Sequence, residues 1–397
     1  MARGGVAEAN GAPGPAEMDE GTSKPTGSGG YRYTTEAERQ LLERQKKVLW
    51  SWLKKVGRNL ISEGVNLTKV SLPVELFESK SFLERVCDSW SYLDLLERAA
   101  DSTDPVERMR CLIAFAVSGL SLQVNPNKPF NPMLGETYQG QYANGMKVFC
   151  EQVSHHPPVS CWEVVDPKKR INFTGTGHIT ATTRANSVRA CQKGDSSVLF
   201  YSDKSTVSWN LPGLILKNVM FGERVLKYSG EMVFRDDTNG LECVVKVDPS
   251  EEKSMFSRML SGKKQKKEAT KYLDKVYGEI LDGSGQVLDR CECSWLSHLD
   301  WGSNTENKSR YWTRNKAACV YPSPQKSVLD SDCGHRIDLR ALRKAETRPD
   351  EAEIYSKCIL EAQESKVKLE EIQRADAKLR KKGIAMLNKQ SDEVSSS

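Results

Sequence analysis

The spacing of apolar residues changes twice along the chain. In TTEAERQLLERQKKVLWSWLKKVGRNL, residues 34–60, Leu41, Leu42, Val48, Leu49, Trp52, Leu53 and Val56 recur at helical spacing and form one face. Arg39, Arg44, Lys46, Lys47, Lys54 and Lys55 fill the opposite face. Thr35 and Glu38 fit a capping box at its start. SFLERVCDSWSYLDLLERAADS and DPVERMRCLIAFAVSGLSLQ predict two further helices, the second opened by Asp104 as N-cap and Pro105 at the first helical position. From about residue 136 to 300 the period falls to two. KVFCEQV, INFTGTGHIT, SSVLFYS, TVSWNL, RVLKYSGEMVF, LECVVKV, KVYGEIL and QVLDRCECSWL predict strands, separated by turns such as DDTNG and DGSG. Strands in succession without alternating helices predict a large antiparallel meander sheet or barrel. Helical spacing returns in PDEAEIYSKCILEAQESKVKLEEIQRADAKLRKKGIAML, a long charged helix.

The flanks read differently. Residues 1–33 are rich in Gly, Ala, Ser and Pro and predict a disordered tail; the closing SDEVSSS predicts a frayed end. Lys263, Lys264, Lys266 and Lys267, in an interruption between strands, suit a solvated loop or contact with an anionic surface. For residues 34–60 two readings stand: a helix packed on a core, or a basic amphipathic segment that covers a cavity or lies on a membrane.

Composition narrows the classes. A net charge of +5 is too weak to imply nucleic acid. Eleven scattered cysteines with no CxxC pair suit reduced thiols in a cytoplasmic protein, not a zinc or disulfide framework. The start lacks a signal-peptide core and the myristoylation pattern, and no apolar run reaches membrane-spanning length.

The candidate chemistry sits in EQVSHHPPVS, Glu151–Ser160, which holds two of only five histidines. Neighbours on an extended chain point to opposite faces, so His155 and His156 are poorly placed to grip one metal ion, and no HExxH or Cys-rich box completes a site. Ser154 and Ser160 lie near, but no GxSxG elbow accompanies them, so no enzyme and no cofactor is expected. Two readings remain from the residues alone: a strand ending in a proline turn, or an anion site in which imidazole donates to a phosphate.

EQVSHHPPVS resembles the signature of the oxysterol-binding protein family. NKPFNPMLGETY (Asn127–Tyr138), LTKVSLPVELFESKSFLERV, NVMFGERVLKYSGEMVF and SDCGHRIDLRAL (Ser331–Leu342) resemble further family segments, so that the likeness spans roughly residues 45 to 375. The resemblance implies a mainly β fold with flanking helices: a large, near-closed antiparallel β-barrel around a hydrophobic lipid tunnel, with an N-terminal lid and a C-terminal helical region. The corresponding division is a tail at 1–33, amphipathic helix and lid at 34–66, the lipid-binding barrel at 67–375, and the helix end with its tail at 376–397. It implies phosphatidylinositol 4-phosphate as a ligand, acyl chains in the tunnel and head group at its mouth, and a second lipid, sterol or phosphatidylserine, competing for the same space. The head-group residues implied are His155, His156, Lys128, Asn131, Lys366, Glu370 and Arg374. The last three lie four apart on one helical face, although a second register, Lys357 with Glu361, better fits the spacing after SDCGHRIDLRAL and puts Ser365 in the arginine place. Trp50, Trp52 and Leu53 fall where the family has its lid and are expected to contact membranes. The expected protein is a monomeric, cytoplasmic carrier, transiently peripheral to anionic membranes, that exchanges lipids. A lipid sensor acting through a protein partner and a histidine-dependent hydrolase are the alternatives.

Overall fold

The computed structural model describes residues 29–56, 70–184, 186–248, 274–302, 308–325 and 327–395. The predicted lysine loop at 263–267, the far side of the lid segment and most of the N-terminal tail lie outside them.

Among the described residues, six α-helices flank one dominant sheet: α1 (Glu36–Val56), α2 (Phe82–Cys87), α3 (Leu93–Asp101), α4 (Pro105–Leu120), α5 (Ile337–Glu346) and α6 (Ala352–Ser395). The capping box at α1 is real: Thr35 N–H donates to Glu38 Oε2 at 3.0 Å, and Glu38 N–H to Thr35 Oγ1 at 3.3 Å. Asp104 caps α4 by accepting from Val106 N–H at 2.9 Å. The helix expected over SFLERV to AADS is broken. A 3-10 turn at Asp88–Trp90 and a non-helical Tyr92 separate α2 from α3. The break frees Ser91 carbonyl to accept from Val320 N–H at 2.8 Å and the Tyr92 hydroxyl to accept from Asn315 N–H at 3.1 Å. Tertiary partners for the backbone thus override an unbroken apolar period.

Among the described residues the main sheet has 16 strands, all antiparallel, with a separate two-stranded parallel pair of Phe77–Ser81 and Lys128–Phe130. It follows a meander for most of its length. Two long strands fork it. Ile171–Arg184 pairs with Ser196–Phe200 along its first half and Ser187–Lys193 along its second; Val225–Asp236 pairs likewise with Gly213–Lys217 and then Thr206–Trp209. Ser187–Lys193 and Gly213–Lys217 pair with each other, so a second ribbon joins the forks. Several strands exceed the sequence expectation, among them Val159–Val165, Ser187–Lys193, Gly213–Lys217 and Ser309–Thr313.

Aromatic side chains join helices to sheet. Trp90 lies against Trp162 and Phe173 at ring distances of 5.6 and 5.2 Å, Phe115 of α4 meets Phe173 at 5.9 Å, and Trp209 stacks between Phe173 and Phe234. Burying each such ring contributes about 2 to 3 kcal/mol. Gly175 is required beside them, because a Cβ there would stand 2.5 Å from the Trp162 ring.

Both ends correct the sequence reading. The chain is ordered before residue 34: Tyr31–Arg32 pairs with Val225–Leu226, and Tyr31 and Tyr33 are buried in the core with rings 5.1 Å apart. Two aromatics flanking one polar residue give that segment an apolar side to bury, which bulk composition conceals. At the other end, α6 continues through SDEV to Ser395 in place of the frayed tail expected, with no proline to stop it.

Candidate functional site

A cavity of about 410 Å³ runs between α1, the segment Gln123–Pro132 and the contiguous strands that hold Ser160, Ile179, Ala190, Leu216 and Leu226. Period two explains the wall: alternate residues of each strand, such as Leu214 and Leu216, Val188 and Ala190, and Ile179 and Ala181, face it. α1 closes one side with Leu49, Trp52 and Leu53. The three lid residues expected from sequence therefore divide. Trp52 and Leu53 face the cavity, whereas Trp50 is exposed and meets exposed Phe221 edge-on at 5.4 Å. Gln45 fastens α1 midway. Its amide donates to Asn127 Oδ1 at 2.5 Å and its oxygen accepts from the buried Arg224 guanidinium.

A second, polar cavity of about 90 Å³ adjoins the first, and His155 and Asn131 line both. His155 and His156 sit in the turn joining strands Lys147–Ser154 and Val159–Val165, with a cis bond between His156 and Pro157. Off the extended chain, the two rings are neighbours, 4.4 Å apart, and do not point to opposite faces. Buried Gln152 locks the turn: its Nε2 donates to Ser154 carbonyl at 2.7 Å and its Oε1 accepts from Ser160 Oγ at 2.5 Å. Burial, with the charges of His156 and Arg380 behind it, pushes the His155 imidazole down to about 4, against weaker pulls from Glu370 and the Pro132 carbonyl. At neutral pH the ring is therefore neutral, and its Nδ1 has no hydrogen-bond partner among the described residues.

Cations surround the histidines. Buried Lys366 donates to Ser71 Oγ at 3.0 Å and Glu370 Oε1 at 2.6 Å, and exposed Arg374 reaches Glu370 Oε2 at 3.1 Å. Lys128 donates to Asn131 Oδ1 at 2.5 Å and to Pro129 carbonyl at 3.1 Å. The Lys128 and Lys366 ammonium groups both lie over the Phe77 ring, at 4.9 and 5.2 Å. Burial, then repulsion from Lys366 and Arg336, pushes the Lys128 ammonium down to about 7. Lys366 and Arg374 share one carboxylate, Glu370, and with Lys128 beside them they leave positive charge suited to a phosphate.

A family model described as oxysterol-binding protein matches residues 49–390. Oxysterol-binding protein 9 of Dictyostelium discoideum is 34% identical over 359 residues, covering 86% of this chain and 79% of that protein. The chain belongs to the oxysterol-binding protein family. Oxysterol-binding protein-related protein 1 of Rattus norvegicus is 28% identical over 355 residues, and there the match spans only 35% of the relative's length. Among solved structures, the Osh1 ORD domain in complex with cholesterol superposes with a TM-score of 0.66 at 21% identity, covering 91% of this chain and 84% of that one. The Osh3 ORD of Saccharomyces cerevisiae in complex with PI(4)P gives 0.62 at 21% identity, covering 84% of each. These likenesses establish the mainly antiparallel fold with flanking helices.

Within this family frame, the seven head-group residues expected from sequence gather at the two adjoining cavities. Lys366, Glu370 and Arg374 line the polar one; Lys357 and Glu361 of the other register are exposed and line neither. Sequence reasoning missed Arg336, which lines the polar cavity. Its guanidinium donates to Glu136 Oε2 and Asp338 Oδ2, both at 2.8 Å, and to Asn131 carbonyl at 3.0 Å. Burial opposes its charge, but Glu136 and Asp338 outweigh it and hold the group above its usual range. Glu136 in turn accepts from Met133 N–H at 2.9 Å and from Ser81 Oγ. The quoted NPMLGE and GHRID segments are thereby one ion-paired scaffold beneath the site. Among the described residues no group of three His, Cys, Asp or Glu could hold a metal, and no helix is long and apolar enough to cross a membrane.

Proposed function

We propose that this chain is a lipid carrier that takes phosphatidylinositol 4-phosphate, with its acyl chains in the apolar cavity and its phosphorylated head group in the polar one, and exchanges it for a second lipid. The single observation that carries the reading is the shared wall: His155 and Asn131 line both chambers, so an amphiphile with an anionic head fits across them. The PI(4)P complex of the Osh3 relative and the cholesterol and ergosterol complexes of Osh1 support the two ligand classes. Sterol and phosphatidylserine remain the candidates for the second cargo. Acyl burial at about 0.8 kcal/mol per methylene balances extraction from a bilayer, and α1 serves as the lid that opens at a membrane. No bond of the lipid is made or broken, and the carrier works in the cytoplasm as a monomer.

Transfer of labelled phosphatidylinositol 4-phosphate between two liposome populations tests this. Wild-type protein should move the lipid, and His155→Ala/His156→Ala should bind and move little of it while keeping its circular dichroism spectrum. Unchanged extraction by the double variant would sink the head-group assignment. Binding without transfer would instead favour a sensor, and release of a hydrolysed head group would make it an enzyme. Mass spectrometry of co-purified lipids identifies the second cargo.

A further inference from the structure

The helix α6 packs on the protein through Cys358, Ala362, Lys366 and Gln373, the last buried one among its described side chains. From Lys378 to Gln390, about 20 Å of helix, every side chain is exposed. This arm is not a uniformly polar stalk. Leu379, Ile384, Met386 and Leu387 are 65%, 60%, 69% and 65% exposed. At 3.6 residues per turn, Met386, Leu379, Gly383 and Leu387 share an arc of about 100°. Lys381, Lys378, Lys389 and Lys382 share a second arc of about 100° on the other side. Between Lys378 and Gln390 the chain has five basic residues and no acidic one. An exposed apolar stripe beside a basic stripe is the pattern of a helix that lies in the plane of a lipid surface.

We propose that residues 378–390 dock the protein on an anionic bilayer, with Leu379, Met386 and Leu387 in the acyl boundary and the lysines against acidic head groups. Charge complementarity selects this occupant. A second copy of the chain pairing as a coiled coil would need apolar residues at both seams; with Ile372, Leu379 and Met386 on one, the other falls on Asp376, Gly383 and Gln390. Placement supports the choice. Arg374, which lines the polar cavity, lies one helical turn, about 6 Å, before Lys378. The arm therefore leaves the body of the protein beside the head-group chamber and would hold that chamber near the surface it serves. Docking is separate from the lipid-carrier reading, since none of these residues lines either cavity.

The test is co-sedimentation of the full chain with vesicles of phosphatidylcholine alone, or of two parts phosphatidylcholine to one part phosphatidylglycerol. Neither contains a phosphoinositide, so binding does not report loading of the head-group chamber. Wild-type protein should sediment with the anionic vesicles and much less with the neutral ones. Lys378→Gln/Lys381→Gln/Lys382→Gln/Lys389→Gln should lose binding by at least tenfold at low salt, at roughly fivefold per charge removed. Leu379→Ser/Met386→Ser/Leu387→Ser should lose it as well. Both variants should still bind a short-chain, water-soluble phosphatidylinositol 4-phosphate as wild type does. That separates failed docking from a failed head-group site. Equal binding to both vesicle types, or unchanged binding by either variant, overturns the proposal. So does a concentration-dependent dimer in sedimentation velocity that the serine variant abolishes, which would make the occupant a second copy.

Discussion

Raising the pH from 7.5 to 9.5 should weaken binding of a phosphorylated head group, and Lys128 should be the reason. Its ammonium stands with Lys366 over Phe77, and burial pushes it down to about 7 from the ordinary 10.5. A bound phosphate favours the charged form and pulls that value up again. The sign follows: below 7 the group is charged with or without ligand and affinity is flat, whereas above 7 the empty protein must first take up a proton. If ligand restores the ordinary value, the loss between pH 7.5 and 9.5 approaches a factor of about 70, or about 2.5 kcal/mol; partial restoration gives less. The phosphate itself changes ionisation nearer pH 6, outside the window. Titration of a water-soluble phosphatidylinositol 4-phosphate by calorimetry at several pH values, in two buffers of different protonation enthalpy, reads both the affinity and the proton taken up. Lys128→Met should bind more weakly at pH 7.5 and show a flat profile. A wild-type profile as flat as that of the methionine variant, or no proton uptake at pH 8.5, would refute the reasoning.

Arg374→Ala should weaken head-group binding by roughly tenfold, the loss of one charge-assisted hydrogen bond, and Ser365→Ala should leave it unchanged in the same titration; the reverse order would return the site to the other register. Arg336→Leu leaves the buried carboxylates of Glu136 and Asp338 without their partner and should destabilise the fold by about 3 to 5 kcal/mol, read from urea denaturation. Leu216→Trp places a larger ring in the tunnel wall and should block uptake of long-chain lipid while leaving binding of the water-soluble analogue intact, measured by mass spectrometry of extracted lipids.

Elements with a one-sided apolar period were legible before any coordinate. α1 and its capping box, the Asp104 cap and most strands of the meander follow from spacing that the physics of burial imposes. Val159–Val165 was harder to see, because the four residues before it read as a strand ending in a proline turn; the hairpin partner just beyond that turn needed the pairing of Cys161 with Glu151 to be known. The candidate site divides in the same way. His155, His156, Lys128 and Asn131 stand in motifs whose family resemblance names them, whereas period and composition left the histidine turn open between a bland and an anionic reading. Arg336 was visible as a letter but not as a participant. One of its carboxylates is two residues away, the other 200, and only the fold brings Glu136 beneath it. The order at Tyr31–Tyr33 was hidden for a related reason, since its strand partner lies nearly two hundred residues on.

The Gln45 clasp gives α1 the mechanics of a buckle and not of a flap. Ahead of the helix, Tyr31–Arg32 is zipped to Val225–Leu226, with Arg32 ion-paired to Glu223; at its middle, Gln45 holds Asn127 on one side and Arg224 on the other. Arg224 directly precedes the strand that holds Leu226, so strap and catch are anchored to one short run of chain. Releasing the zip uncovers the buried rings of Tyr31 and Tyr33 and breaks the Arg32–Glu223 ion pair, whereas releasing the clasp leaves the Arg224 guanidinium its Val219 carbonyl at 2.8 Å. The clasp, which holds no ring in place, yields first. The Gln45 catch then sets how often the strap loosens, and the N-terminal zip keeps it hinged to the protein.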